Sequence, residues 1–375
     1  MFFYIGQDCP IKSVSKVAEN LFLDKGWNSK IVNDVSYWYK GYSTECLLSE
    51  HVLDILDGYK PNGKYAVVSE NGDIYHPLLR GFPIYTDKEK IKTNIPLDNL
   101  IEDSYNTYKI FRKPNITLEQ ASIEINQILR ENIVNFFRYN KIEKLNVLFS
   151  AGIDTLTVWS IVDNLGYDYN LYIHTPKPKN NFGTNQEYQS DLIDLCRKKF
   201  WGYTMTSCYS QENWYITGFY SERIQLREVT QGHTIANFLG KKLHEVPTNK
   251  DYLFYFLQRP STKVNNEPTF TNEQDVLDHC NHSIYYDHQM WHLDNNYHFS
   301  PFYDIRIAEI INQLSLDDII CNALNAVIQK NIITYNRPDF LQLLSKYKNE
   351  GDIWANYRKN FNKINLRENI NKFIT

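Results

Sequence analysis

The spacing of apolar residues divides the chain into two parts. Up to about residue 110, apolar and aromatic residues come in short runs between turn signals, which is typical of β-strands. The predicted strands are Phe2–Ile5, Val35–Tyr39, Tyr65–Ser69, Ile74–His76 and Phe82–Tyr85. Asn71-Gly72 predicts a hairpin turn between the third and fourth of these strands, and a short helix is predicted at Glu50–Leu56. The first part of the chain is therefore predicted to be β-rich.

After about residue 110 the patterns of apolar residues extend over longer stretches. Apolar residues recur every three or four positions from Leu118 to Tyr139, and Thr117 with Gln120 has the pattern of a helix cap. Strand-like and helical stretches then alternate. The further predicted elements are a strand at Leu145–Phe149, a helix from near Leu156 to Gly166, a strand at Asn170–Thr175, a helix at about 185–200, and a helix at Leu316–Asn331.

This alternation predicts the fold class. Strands that alternate with helices favour an α/β fold with a doubly wound, mainly parallel sheet, in which ligands bind at the carboxyl ends of the strands. A chain of 375 residues has room for a second domain. We predict a small β-rich domain at residues 1–111 and an α/β domain at residues 112–375.

Composition narrows the class of protein. The chain is 42% hydrophobic and 22% charged, with a net charge of −4, so it has the balance of a folded protein and no overall basic character to favour nucleic acid as a partner. The six cysteines form no CxxC pair, which favours reduced thiols. The opening run Met1–Ile5 is too short for a signal peptide, and no apolar run reaches membrane-spanning length. A cytoplasmic protein without membrane contact is expected.

The turn after Leu145–Phe149 carries the first candidate chemistry. Ser150-Ala151-Gly152 is a small-residue turn between a strand and a helix, so its N–H groups and the positive end of the helix dipole are expected to point at one spot. Such a turn suits a phosphate, and Asp154 and Thr155 follow it directly. The Gly-Lys-Ser/Thr ending of a Walker A loop is absent from this stretch.

Two later stretches also combine a strand with polar residues. Thr217-Gly218 ends the apolar run that begins at Trp214, and Glu222 follows four residues after the glycine. Pro301-Phe302-Tyr303-Asp304 precedes a helical pattern, and Asp304 is a candidate N-cap for that helix. Lys348 lies near the end of a further amphipathic stretch, ahead of Gly351. Taken separately, these stretches also fit an ordinary turn, a cap and a surface helix.

In order and rough spacing, the three stretches resemble the asparagine synthetase and β-lactam synthetase family of N-type ATP pyrophosphatases. Ser150–Thr155 resembles that family's pyrophosphate loop, although Ala151 replaces a glycine, and Thr217–Glu222 and Pro301–Asp304 resemble its two later motifs. Residues 56–85 resemble more distantly a class II (Ntn) glutamine amidotransferase domain, but Met1-Phe2 lacks that family's terminal nucleophile. This second resemblance implies that the glutaminase chemistry has been lost, and a plain β-domain is the other interpretation.

The first resemblance implies the adenine nucleotide α-hydrolase-like version of the α/β fold, with ATP and Mg²⁺ as cofactors. It implies a ligase that adenylates a small-molecule carboxylate, releases pyrophosphate, and transfers the acyl group to ammonia or an amine. The implied catalytic residues are Lys348 and Glu222, the implied metal ligands are Asp154 and Glu222, and the implied nucleotide-binding residues are Ser150, Ala151, Gly152, Asp154, Thr155, Gly218 and Asp304.

Two other classes stay open at this point: a pyrophosphate-loop enzyme that modifies a nucleobase, and a non-catalytic descendant that binds a nucleotide or a protein. A separate feature is a group of five histidines between His279 and His298, with His288 and His292 four residues apart. Zinc is conceivable there, but no complete ligand pattern is present and the surrounding aromatic residues also suit a packed layer.

Overall fold

The structure is a computed structural model of the chain. It describes residues 3–10, 14–78, 84–87, 90–94, 100–102, 113–140, 142, 145–149, 153–173, 214–218 and 298–341, and the account below concerns these residues. They form an α/β protein with a β-rich N-terminal region.

Fourteen strands and six helices are described. The strands are β1 (Phe3–Ile5), β2 (Ser15–Ala18), β3 (Leu21–Leu23), β4 (Asn28–Val32), β5 (Val35–Ser43), β6 (Gly63–Ser69), β7 (Ile74–Tyr75), β8 (Tyr85–Thr86), β9 (Lys92–Thr93), β10 (Ile101–Glu102), β11 (Leu145–Phe149), β12 (Tyr169–Ile173), β13 (Tyr215–Ile216) and β14 (His298–Phe299). The helices are α1 (Val52–Leu56), α2 (Leu118–Asn140), α3 (Ile153–Leu165), α4 (Ile305–Ile311), α5 (Leu316–Asn325) and α6 (Val327–Asn336).

Two antiparallel sheets make up the N-terminal region. One has the order β10-β8-β9-β1-β3-β2 and the other the order β4-β5-β6-β7. Strand β6 is buried on both faces. Successive side chains of a strand point to opposite sides, so its residues pack in two different clusters. Ala66 and Val68 pack with Phe3 and Leu21 of the first sheet, whereas Tyr65 and Val67 pack in a second cluster that includes Val52 and Ile55 of α1.

A four-stranded parallel sheet forms the centre of the second part, in the order β12-β11-β13-β14. Helix α2 covers one face, where Phe136 stacks on Phe299 of β14 with ring centroids 3.9 Å apart. Helices α2, α3 and α6 pack against one another, and α4 packs against α2. The nine residues from Asp154 to Val162 of α3 are all buried, so this helix lies inside the protein instead of on its surface.

Several predicted elements are confirmed. The hairpin between β6 and β7 forms as expected, with Val68 paired to Ile74. At the start of α2, the Thr117 side chain accepts a hydrogen bond from Gln120 N and the Gln120 side chain accepts one from Thr117 N, at 3.2 and 2.9 Å. Gly166 ends α3 with a φ of +76°, a backbone conformation that favours glycine.

One predicted element is wrong in outline. The single helix expected at Leu316–Asn331 is two helices, because Ala326 adopts a left-handed conformation with φ 51° and ψ 45° between α5 and α6. Asn322 stabilises this break, since its side chain accepts a hydrogen bond from Ile328 N at 2.8 Å. Helix α6 then continues to Asn336, beyond the expected end and two residues before Pro338. Strands β2, β3 and β4 were not predicted from the sequence: β2 and β4 are mostly exposed and each includes a lysine, and β3 is an apolar run of only three residues.

Strand β12 also begins one residue earlier than predicted. The helix predicted at about residues 185–200 lies outside the described residues, and the division into two domains stays a prediction. Among the helices that are described, none has both the length and the apolar character that a membrane crossing requires.

Tyr42 of β5 connects the N-terminal region to the parallel sheet. Its ring packs edge-on against Phe136, Trp214 and Phe299, with centroids 5.2 to 5.8 Å away. Its hydroxyl accepts a hydrogen bond from Ser300 N at 3.2 Å and donates one to Ser300 O at 3.4 Å. Among the described residues β14 is the edge strand of its sheet, and Tyr42 satisfies backbone groups at the point where that strand ends.

We predict that Tyr42→Phe lowers the free energy of unfolding by about 1–3 kcal/mol, because it removes a buried partner from the Ser300 backbone while the ring packing stays. Urea unfolding measures the change. Tyr335→Phe is the control, since Tyr335 is 44% exposed, and should change the stability little. Equal stability of the two variants would contradict the assignment of this contact.

Candidate functional site

Three of the predicted stretches begin at neighbouring strands of the parallel sheet. Strand β11 precedes α3, β13 leads to Thr217-Gly218, and β14 leads to Ser300–Asp304. Since β11, β13 and β14 are parallel and adjacent, their carboxyl ends lie at the same edge of the sheet. Segments some 60 and 150 residues apart in sequence therefore meet, as the doubly wound pattern predicts for a ligand site.

Gly218 lies directly against the start of α3. A Cβ atom added to Gly218 would lie 2.6 Å from the carbonyl carbon of Asp154 and 2.7 Å from the backbone nitrogen of Thr155. Both neighbours are backbone atoms of the first turn of α3, so a side chain at this position has no room. The end of β13 thus packs directly on the start of α3, and only glycine permits this distance.

Asp154 and Thr155 are buried in that first turn, each with 9% of its surface exposed. The acidic side chain of Asp154 suits the positive end of the helix dipole. Gln329 of α6 is fully buried and donates a hydrogen bond from Nε2 to Asp154 Oδ1 at 3.3 Å. The carboxylate that the sequence predicts as a metal ligand is therefore held from two sides, by its helix and by an amide of α6.

The loop Ser300–Asp304 is fixed by neighbours on three elements. Asn132 of α2 donates hydrogen bonds to Pro301 O at 2.9 Å and to Asp304 Oδ2 at 3.1 Å. Asn62, which follows α1, accepts one from Ile305 N at 3.3 Å. With Tyr42 on Ser300, these contacts leave the loop little freedom.

Asp304 is the N-cap of α4, as predicted, and its side chain accepts a hydrogen bond from Arg306 N at 2.9 Å. It is fully buried and also forms an ion pair with Arg306 Nη2 at 2.8 Å. The hydrogen bonds and charge of Asp304 raise the pKa of the Arg306 guanidinium. This arrangement accounts for Asp304 as a structural residue, and its predicted nucleotide-binding role stays a prediction.

A second pair of titratable residues, His298 of β14 and Lys64 of β6, lies close together. His298 is buried and packs on Tyr215 of β13, with ring centroids 5.9 Å apart. Burial and the positive charge of Lys64 lower the pKa of His298 to about 4. Burial also lowers the pKa of Lys64 to about 8. His298 is therefore a neutral side chain near pH 7, which is an ordinary state for a buried histidine.

Other predicted site residues lie outside the described part of the chain. These are Ser150, Ala151, Gly152, Glu222 and Lys348, together with the histidines from His279 to His292. Within the described residues, no group of three or more His, Cys, Asp or Glu side chains is placed to hold a metal ion. Of the predicted nucleotide-binding residues, the structure brings Asp154, Thr155 and Gly218 together.

Sequence reasoning missed Gln329, Asn132 and Arg306. Gln329 had a recognisable signal, since it lies among Ile328, Ile332 and Ile333 on the buried side of α6. A polar residue on such a face needs a partner inside the protein. The partner itself is 175 residues away and is set by tertiary packing.

Searches of known protein families and of curated proteins found no match to this chain.

We predict that Gly218→Ala lowers the free energy of unfolding by about 1–3 kcal/mol, because the methyl group displaces the backbone of α3. Gly166→Ala, at the other end of the same helix, is the control: a Cβ there meets no atom within 4 Å, and only the φ of +76° is unfavourable. Urea unfolding of both variants separates steric from conformational cost. A Gly218→Ala protein that is more stable than Gly166→Ala would contradict the close approach.

The histidine gives a pH prediction. His298 has a pKa of about 4 in the folded chain against an ordinary value of 6.5, so the unfolded chain binds the proton more readily. Its contribution is present above pH 6.5 and is lost as the pH falls towards 4, a loss of about 3 kcal/mol. Unfolding free energies measured at several pH values should therefore fall less steeply with acid in His298→Gln than in the parent. Parallel curves would count against a buried neutral His298.

Proposed function

We propose that this chain is an ATP-dependent carbon–nitrogen ligase, related in mechanism to asparagine synthetase, that forms AMP and pyrophosphate. The observation that carries the proposal is the contact of Gly218 with the first turn of α3 at the ends of β13 and β11. The two stretches that resemble family motifs are distant in sequence, and their close contact is what one nucleotide site requires. The finer fold belongs to the same proposal: a doubly wound sheet of the adenine nucleotide α-hydrolase type.

In this proposal the turn Ser150–Gly152 and the start of α3 bind the pyrophosphate part of ATP. Backbone N–H groups at a helix N-terminus are fixed in position, so they stabilise the charge that develops on the leaving pyrophosphate without reorganising. Thr155 supplies a hydroxyl in the same turn. The carboxylate of a small-molecule substrate attacks the α-phosphate, the bond from the α-phosphorus to the bridging oxygen breaks, and ammonia or an amine then displaces AMP.

The proposed metal site rests on Asp154 and on Glu222. Mg²⁺ prefers oxygen ligands and takes only one or two carboxylates from the protein beside phosphates and water, so this donor set fits it. When bound, the ion would neutralise charge on the phosphates. Asp154 is held by Gln329 with its carboxylate in the first turn of α3, which suits a ligand that must stay in one rotamer.

Lys348 completes the proposal as a cation for the phosphates, and Asp304 supports the site from the loop after β14 through the contacts with Arg306 and Asn132. ATP and Mg²⁺ are supplied by the cytoplasm, which is the proposed location.

A second candidate is a non-catalytic protein that binds a nucleotide. The burial of Asp154 favours it, because 9% exposure leaves little of the carboxylate for a catalytic metal ion, whereas backbone N–H groups at a helix N-terminus can bind phosphate without it. The two candidates differ in one respect: only the ligase releases pyrophosphate.

The test is pyrophosphate release from ATP with a panel of amino acids, ammonia, amines and nucleic acids, followed by thermal unfolding with and without MgATP. We predict release with a carboxylate and an amine, and a loss of about 100-fold or more in Asp154→Asn with folding intact, since a metal ligand is worth several kcal/mol in the transition state. Asp168→Asn, on the exposed turn after α3, is the matched control and should keep its activity.

Each outcome decides between the candidates. A thermal shift with MgATP but no pyrophosphate supports the binding protein. Release that depends on a nucleic acid supports the nucleobase-modifying class. If the protein shows no pyrophosphate release and no thermal shift with MgATP, every nucleotide proposal is overturned. Full activity in Asp154→Asn would mean that the loop assignment is wrong.

A further inference from the structure

Gln329 is the one buried glutamine of the described α6, and its surroundings do not explain it. Its neighbours on the buried face are the isoleucines Ile328, Ile332 and Ile333. Helix α6 packs there against α2 and α3. An apolar side chain of similar length would fit such a helix interface, because an interior favours close packing without polar atoms.

The amide is only half satisfied within the described residues. Nε2 donates to Asp154 Oδ1 at 3.3 Å, whereas Oε1 is buried and has no hydrogen-bond partner among those residues. A carboxylate only accepts hydrogen bonds, so the amide has to turn its nitrogen towards Asp154, and this orientation leaves the oxygen without a donor among the described residues. The hydrogen bond from Gln329 to Asp154 therefore comes with an unfavourable position for Oε1.

This hydrogen bond lies at the candidate functional site. Asp154 lies one residue into α3, next to the backbone on which Gly218 packs. A short acidic side chain there has more than one staggered rotamer. A donor on α6 selects the rotamer whose Oδ1 faces Gln329 and leaves the second oxygen, Oδ2, in a fixed direction.

We propose that Gln329 is a positioning residue, which holds the Asp154 carboxylate in the orientation that binds the metal–nucleotide complex. The inference rests on the proposed function, because it assigns Gln329 to that same site. It predicts that removing the amide weakens binding of MgATP while the stability changes little, since the buried Oε1, which has no partner among the described residues, is removed together with the donor to Asp154.

The test uses Gln329→Met, which has a similar shape without polar groups, in the full chain. Calorimetric titration with MgATP should show affinity lower by about 10- to 100-fold, the usual effect of losing a group that orients a metal ligand. The thermal midpoint without nucleotide should stay within about 2 °C of the parent or rise. Ile332→Leu, a volume-conserving change on the same helix face, is the control and should alter neither quantity by much.

The outcomes separate this inference from the function on which it rests. A parent protein that binds no MgATP overturns both. A parent that binds, with a Gln329→Met variant that binds equally well, overturns only the role of Gln329. A variant with a lower thermal midpoint and unchanged affinity makes Gln329 a purely structural residue. If Gln329→Met fails to fold, Gln329→Asn replaces it: the amide is kept but one methylene shorter, and the same loss of affinity is expected.

Discussion

The rest of the structure depends on the backbone contact between Gly218 and the first turn of α3. It fixes the end of β13 against the start of the helix that follows β11, at a distance that leaves no space for a Cβ. The nine residues of α3 from Asp154 to Val162 are buried, and α2 and α6 pack against this helix. These contacts also fix its position. Further along α3, the Trp159 indole N–H donates a hydrogen bond to the Tyr169 hydroxyl at 2.6 Å, and that hydroxyl donates one to the Asp163 carboxylate at 2.7 Å. A helix held in this way presents its N-terminus without adjustment, which is what a preorganised anion site needs.

The N-terminal region supports the same sheet edge from outside. Tyr42 contacts the backbone where β14 ends, and Asn62 contacts the first N–H of α4. Both residues come from the β-rich N-terminal region, so that region contributes structurally to this edge of the sheet. Asp304 then holds the loop from within, because its buried carboxylate pairs with the partly exposed guanidinium of Arg306, and removing Arg306 would leave that buried charge without its cation.

Local patterns in the sequence predicted the elements that local physics determines. The capping pair Thr117 and Gln120, the hairpin turn at Gly72, the αL glycine Gly166 and the N-cap Asp304 all lie where propensity and turn chemistry place them. The break at Ala326 was missed because a left-handed alanine has no signal in composition and depends on Asn322. The hydrogen-bond partner of Asp154 was missed for another reason: Gln329 reaches it only through packing of elements that are distant in sequence.

The most direct test of the central claim is a crystal structure of the protein with Mg²⁺ and α,β-methylene-ATP, which cannot be cleaved between the α and β phosphates. The account predicts that the β and γ phosphates lie at the N-terminus of α3, at the ends of β11 and β13, with the metal ion on Asp154. The account would be contradicted by nucleotide bound at another place in the chain. It would also be contradicted by nucleotide at this edge of the sheet with no contact between Asp154 and the metal ion.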